Sequence, residues 1–249
     1  VVKKEAKTWD ASVKLYQVRD RADDLIGYFY MDLFARDGKR SGAWMDDAVG
    51  RWKTDRHTQL PVAYLVCNFP SATTDSSDAY LSHNEVETLF HECGHVMHHL
   101  MTQIDELGIS GINGVEWDAV ELPSQFLENW CYDEEALSFI SGHFETGEPL
   151  PKELLDKLLA AKNYNSGIQM LRQIEFSLFD FKIHNDYKAG EQCQIQAILD
   201  DVRSRTSIVK PPEFNRFQNG FSHIFAGGYS AGYYSYKWAE VLSADAFSK

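Results

Sequence analysis

The sequence predicts a mainly α protein with a small β region near its N-terminus. Aromatic and β-branched runs with strand-like character lie in the first third, whereas apolar residues recur at helical spacing from Ser82 onward. The bulk composition agrees. With 249 residues, 44% hydrophobic and 13% aromatic, the chain can bury a core in one large domain or two small ones.

Residues 12–18 alternate, and residues 26–34 (Ile-Gly-Tyr-Phe-Tyr-Met-Asp-Leu-Phe) are rich in strand formers; the polar run 19–24 between them reads as a hairpin connection. Asp37-Gly38 supplies turn chemistry after the second strand. Residues 60–69 read as another strand, and Pro61 near its start is compatible with an edge position. The polar run 71–78 is expected to be a loop.

Ser82 followed by Glu85 forms a capping box and opens a long helix. Taking His91 as zero on a helical wheel, Val86, Leu89, Cys93, Met97, Leu100 and Ile104 fall within roughly 160–240°, opposite the histidines. A Gly-rich turn spans 108–114, and 117–130 is expected as a helix kinked at Pro123. Further helices are expected at 133–141, 151–162, 164–186, 191–204 and 229–248, with Pro211-Pro212 in a loop. There is no internal repeat, low-complexity tract or obvious linker. The expectation is one domain over 1–249, β-rich over about 10–70 and helical over about 82–249.

Net charge is −13 (24 basic against 37 acidic residues) without a basic cluster, which argues against nucleic acid as a partner. No run of 18 apolar residues, signal peptide or transit segment is visible, so no membrane partner is expected. Cys67, Cys93, Cys131 and Cys193 are widely spaced and read as small buried hydrophobes, fitting a soluble, reducing, cytoplasmic setting. The chain opens at Val1 without Met and stops at Lys249 inside a helical run without a stop signal, so a fragment is expected.

The chemistry concentrates in His91-Glu92-x-x-His95. Four residues make about one helical turn, so both imidazoles leave one face and can share a zinc ion, while Glu92 flanks that face and can reach a water beside it. The competing reading is two satisfied histidines on a helix. A catalytic zinc wants a third protein ligand. A His six residues after the second would supply it in one known pattern, but Met101 stands there. His98 lies on the metal face one turn further along, as a residue behind the ligands or lining a pocket, and His99 reads as a polar residue on the helix flank. Glu121 and Glu128 are seven apart, on one face of the next helix with Asp118 and Gln125 close by. They are either a solvated charged face or a source of carboxylate. Tyr229, Tyr233 and Tyr236 follow Gly227-Gly228 and would share one helical face, as core packing or as hydroxyl donors to an oxyanion.

His91-Glu92-x-Gly94-His95-x-x-His98, followed by the run from Trp117 to Trp130, resembles the thimet oligopeptidase family of zinc endopeptidases, and its bacterial oligopeptidase A branch most of all. The similarity extends through Gly42 to Asp47 and Phe221 to Tyr229, essentially end to end. The resemblance implies a zincin-type catalytic portion of a helical clamshell, with one zinc held by His91, His95 and Glu121 and Glu128 supporting a zinc histidine. It implies Glu92 as general base, Tyr229 and Tyr236 as substrate and transition-state contacts, and His223 as a nearby site residue. Implied substrates are short oligopeptides cut internally. A peptidyl-dipeptidase of the same family and a non-catalytic zinc-stabilised peptide-binding module are the alternatives. Cys93 stands where the family usually carries Phe, a change of packing on the core face. Family members are also longer, so the N-terminal portion of the polypeptide is expected to be missing.

Overall fold

Strand-forming side chains in the first third pair into a five-stranded sheet in the order β1-β2-β3-β7-β4. The strands are β1 (Val2–Lys4), β2 (Lys14–Arg19), β3 (Leu25–Phe34), β4 (Trp44–Val49) and β7 (Val62–Phe69); β5 (Trp52–Lys53) and β6 (Thr58–Gln59) form a separate hairpin. The computed structural model describes residues 1–71, 79–188, 190 and 194–249. The loop expected over 71–78 lies outside them after Ser71, as do Cys193 and the start of the helix expected from residue 191.

The chain divides into two compact units, one of Val1–Glu116, Val120–Ile140 and Ser243–Lys249, the other of Trp117–Ala119 and Ser141–Leu242. In the first, β7 runs parallel to β3 and antiparallel to β4. It is therefore an interior strand, which corrects the edge expectation drawn from Pro61. That proline sits just before the strand, outside the ladder that its missing N–H would interrupt, and its carbonyl still accepts from Tyr28 N–H at 3.0 Å. Helix α1 (His83–Leu100) begins with the expected capping box and packs against the sheet, burying Phe29, Ala63, Leu65, Cys67, Val96 and Leu100 in one cluster. Leu89, Cys93 and Met97 join that cluster, as the helical wheel requires. A buried lysine closes the end of the sheet. Lys39 Nζ donates to the Asp32 carboxylate and to the carbonyls of Asp32, Phe34 and Cys67, spanning the irregularity in the β3–β7 pairing. Two short helices, α2 (Leu122–Glu128) and α3 (Glu134–Ile140), complete this unit.

The second unit contains α4 (Lys152–Lys162), α5 (Ser166–Asn185), α6 (Ile195–Thr206), α7 (Phe217–Gly220), α8 (Ser222–Phe225) and most of α9 (Ser235–Phe247). Its core gathers Phe179, Ile183, Leu199, Phe221, Ile224 and Tyr233. The last helix starts at Ser235 rather than near residue 229. Residues 230–234 form turns; Gly228 just before them is at φ +86° and Ala231 within them at φ +56°, conformations that a right-handed helix cannot contain. Among the described residues no helix is long and apolar enough to cross a membrane.

Candidate metal centre

Close helix packing assembles the site. A Cβ on Gly94 of α1 would lie 2.4 Å from the Pro123 carbonyl oxygen and 2.5 Å from Ser124 Cα, so only glycine permits this approach of α2. Pro123 falls at the start of α2, where its missing N–H has no helical partner to lose. It opens the helix instead of kinking a longer one, which corrects the expectation for 117–130. Glu121 stands immediately before that helix, and Ser124 Oγ donates to its carboxylate at 2.9 Å.

The two histidines converge on Glu121. Its Oε2 lies 3.2 Å from His91 Nε2 and 3.1 Å from His95 Nε2. Ligand atoms about 2.0–2.1 Å from a tetrahedral ion stand roughly 3.3 Å apart, so these separations fit a zinc site with a fourth position open. Among the described residues, these three are the group of metal-type donors within 4.8 Å of one another. His91 Nδ1 lies 2.5 Å from Glu128 Oε1, which directs Nε2 towards Glu121. His98 lines an apolar groove of about 750 Å³ with Met97, Met101 and Phe126.

The electrostatics call for a cation. Burial alone would depress His91, but hydrogen bonds to Glu121 and Glu128 outweigh it and raise the imidazole to about 10. Glu121 is 1% exposed; burial opposes its ionisation, yet the two histidines hold the carboxyl far below the ordinary range. Two carboxylates around one imidazole thus favour positive charge, which either a proton or a divalent ion supplies. Glu92 differs. Burial pushes its carboxyl up, against the pull of His91 and His95, and Oε2 is buried without a hydrogen-bond partner. A carboxylate in that condition is equipped to take a proton.

His99, expected as a polar residue on the helix flank, is fully buried. Its Nε2 lies 3.0 Å from the Val49 carbonyl oxygen and its Nδ1 accepts from Ile112 N–H at 3.4 Å, tying α1 to the end of β4 and to the Gly-rich turn. Spacing alone could have placed it near 80° from His91, but not told a buried flank from a wet one.

In the second unit the tyrosine segment forms its own cluster. The Tyr229 and Tyr236 rings stack at 5.0 Å, Tyr233 lies 5.2 Å from Tyr236, and the His223 ring lies 5.7 Å from Tyr233 and 6.2 Å from Tyr236. Trp117 packs against Tyr229 at 4.7 Å, and a Cβ on Gly228 would meet Trp117 at 2.9 Å. Tyr229 and Tyr233 thus precede α9 and only Tyr236 lies on it, so the three phenols do not share one helical face.

A His-Glu-x-x-His helix with a carboxylate donated from the next helix is the donor arrangement of metal-dependent hydrolases. The chain belongs to peptidase family M3, which it matches over residues 1–249. It is 54% identical to oligopeptidase A of Escherichia coli over 99% of this chain and 36% of that protein, and 56% identical to oligopeptidase A of Haemophilus influenzae over 100% and 37%. Dipeptidyl carboxypeptidase of Escherichia coli is 32% identical over 94% of this chain and 34% of its own length. The chain thus spans about a third of the length of these relatives.

Proposed function

We propose that this chain is the zincin-type catalytic part of a zinc-dependent oligopeptidase, one domain in function, whose longer polypeptide forms a helical clamshell. The observation that carries the reading is the convergence of His91 Nε2 and His95 Nε2 on Glu121 Oε2, beside Glu92, whose buried Oε2 has no hydrogen-bond partner. His91, His95 and Glu121 would hold one zinc ion, and Glu128 orients His91. Zinc, when bound, polarises a scissile carbonyl and makes water acidic enough to attack near neutral pH. Glu92 takes the proton of the attacking water and passes it to the leaving amine. The Tyr229 and Tyr236 hydroxyls donate to the developing oxyanion, and His223 supports them, as the family resemblance suggests. Substrates are short oligopeptides cut internally, in a cytoplasmic setting; identity of 54–56% to oligopeptidases A against 32% to the dipeptidyl carboxypeptidase favours internal cleavage.

Metal analysis and turnover of a quenched peptide blocked at both ends test this reading on the longest native polypeptide carrying the sequence. One zinc per chain, chelator-sensitive turnover and internal cleavage products are expected. Zinc without turnover would leave a peptide-binding module, and dipeptides released only from a free C-terminus would leave the peptidyl-dipeptidase.

A further inference from the structure

Asp180 lies towards the C-terminal end of α5, fully buried, and no step of the proposed chemistry uses it. An isolated buried carboxylate is costly, so its partners show what it is for. Oδ1 accepts from Ala231 N–H at 2.9 Å and Oδ2 from Tyr233 N–H at 3.0 Å, across more than fifty residues of sequence. His184 Nδ1, one turn along α5, approaches Oδ1 at 2.8 Å and the Asp180 carbonyl at 2.9 Å. Both oxygens are therefore engaged, and two of their partners are backbone donors of one short turn. Ala231, between Ser230 and Gly232, is held at φ +56°, where a residue with a Cβ is disfavoured. Something must pin it there, and the carboxylate binds the N–H of Ala231 itself and that of Tyr233, two residues on.

We infer that Asp180 is the positioning residue of the tyrosine segment: its carboxylate grips the turn through Ala231 and Tyr233 and so sets the arrangement of Tyr229, Tyr233 and Tyr236. The rings of the segment also pack on Trp117, Phe176 and Phe181, but those contacts do not hold backbone N–H groups. Ser230 Oγ donates to the Ile224 carbonyl and Gly232 N–H to the Tyr229 carbonyl, both within the same segment. Unlike these hydrogen bonds, those of Asp180 join the backbone of the turn to a long helix, and its register along α5 then sets the turn. Asparagine at this position keeps the shape but offers one acceptor oxygen. Its amide would face an N–H donor, so one of the two grips is lost and the left-handed residue is free to relax.

The consequence for catalysis rests on the oxyanion reading of the tyrosines, so the test separates the two. Asp180→Asn in the longest native polypeptide is measured by amide hydrogen exchange over 229–236 and by steady-state kinetics, beside Tyr229→Phe and Tyr236→Phe, which leave the carboxylate and its backbone partners in place. Expected are exchange about tenfold faster or more at the Ala231 and Tyr233 amides, zinc content unchanged, and kcat lower by about 10–100-fold with KM within about twofold. Adding Ala231→Gly to Asp180→Asn should restore part of kcat, because glycine adopts the left-handed conformation without a grip. Unchanged exchange at those two amides overturns the anchoring. Faster exchange throughout the unit, with a lowered Tm and parental kcat, overturns it as well, leaving a general core residue. If exchange rises locally while both Phe variants keep the parental kcat, the oxyanion reading fails and Asp180 loses its catalytic consequence. If the Asp180→Asn chain does not fold, the same exchange measurement on Ala231→Gly decides. The grip predicts that protection persists at Tyr233, and its loss there would overturn the proposal.

Discussion

Replacing Gly94 by alanine should cost the site its metal without unfolding the protein. The added Cβ would lie 2.4 Å from the Pro123 carbonyl oxygen, whereas ordinary contact begins at 3.4 Å, so α2 must retreat by about 1.0 Å. The obstacle is backbone, which no rotamer change relieves. Glu121 sits two residues before Pro123 and travels with it. A zinc–carboxylate bond of about 2.0–2.2 Å does not survive such a displacement, so one of three protein ligands is lost. Zinc affinity should fall by roughly 10²-fold or more, beyond the effect of losing a supporting partner alone. The stability change is smaller, because overpacking costs about 1–3 kcal/mol while alanine gains about 1 kcal/mol over glycine inside a helix. Competition against a chelator of known affinity reads the first quantity, and thermal unfolding of the metal-free protein reads the second. A variant that binds zinc as tightly as the parent and melts higher would refute the reasoning, since α1 and α2 would then have room to spare.

Glu92→Gln should retain zinc and peptide binding while lowering kcat by at least about 10²-fold, because a proton acceptor is lost and no ligand is; parental turnover would remove Glu92 from the chemistry. Glu128→Gln should weaken zinc by about 10–100-fold in the chelator assay, since the His91 ring keeps a hydrogen-bond partner but loses a charged one, and unchanged affinity would show that Glu128 does not tune the histidine. Asp32 makes the fold sensitive to acid. Burial opposes ionisation of Asp32, but hydrogen bonds from Arg36, Lys39 and Trp9 prevail and hold the carboxyl at about 2. A depressed carboxyl stabilises the fold above its unfolded value of 3.8, and that contribution fades as pH falls from about 5 towards 2. Allowing for solvent screening, about 1–2 kcal/mol should disappear across this window. Denaturant titrations at pH 5 and pH 3 check it, and an Asp32→Asn variant with the same pH slope as the parent would count against it.

The parts of the fold that could be read from sequence were those specified locally. The capping box at Ser82, the apolar stripe through Leu89, Cys93 and Met97, and the His91–His95 pair each depend on residues within a turn or two of one another. Strand β4 was not expected, because Asp46-Asp47 interrupts its apolar pattern; it forms by pairing with β7, a tertiary contact that overrides propensity. Both prolines were misread in the same way. Each was judged by what it forbids, while the structure uses Pro61 before a strand and Pro123 at the start of a helix, where nothing is forbidden. The tyrosines carried the right spacing for a shared face and the wrong backbone, since the turn around Ala231 is imposed from α5, fifty residues away in the chain. His99 is the converse case: its identity promised a polar surface, and burial between β4 and the Gly-rich turn could not be seen without the partners.

Lys39 carries a consequence of another kind. Its side chain is 5% exposed, and the ammonium is surrounded by a carboxylate and three backbone carbonyls, much as a bound alkali ion would be. The chain thereby brings its own tethered cation to the end of the sheet, and the closure of that corner requires no ion from the medium. It also hides the amine. Reagents and enzymes that acylate lysines meet Lys39 only while the sheet is open, so an acyl mark there would date from before folding, and a chain so marked would lack the charge that gathers those oxygens.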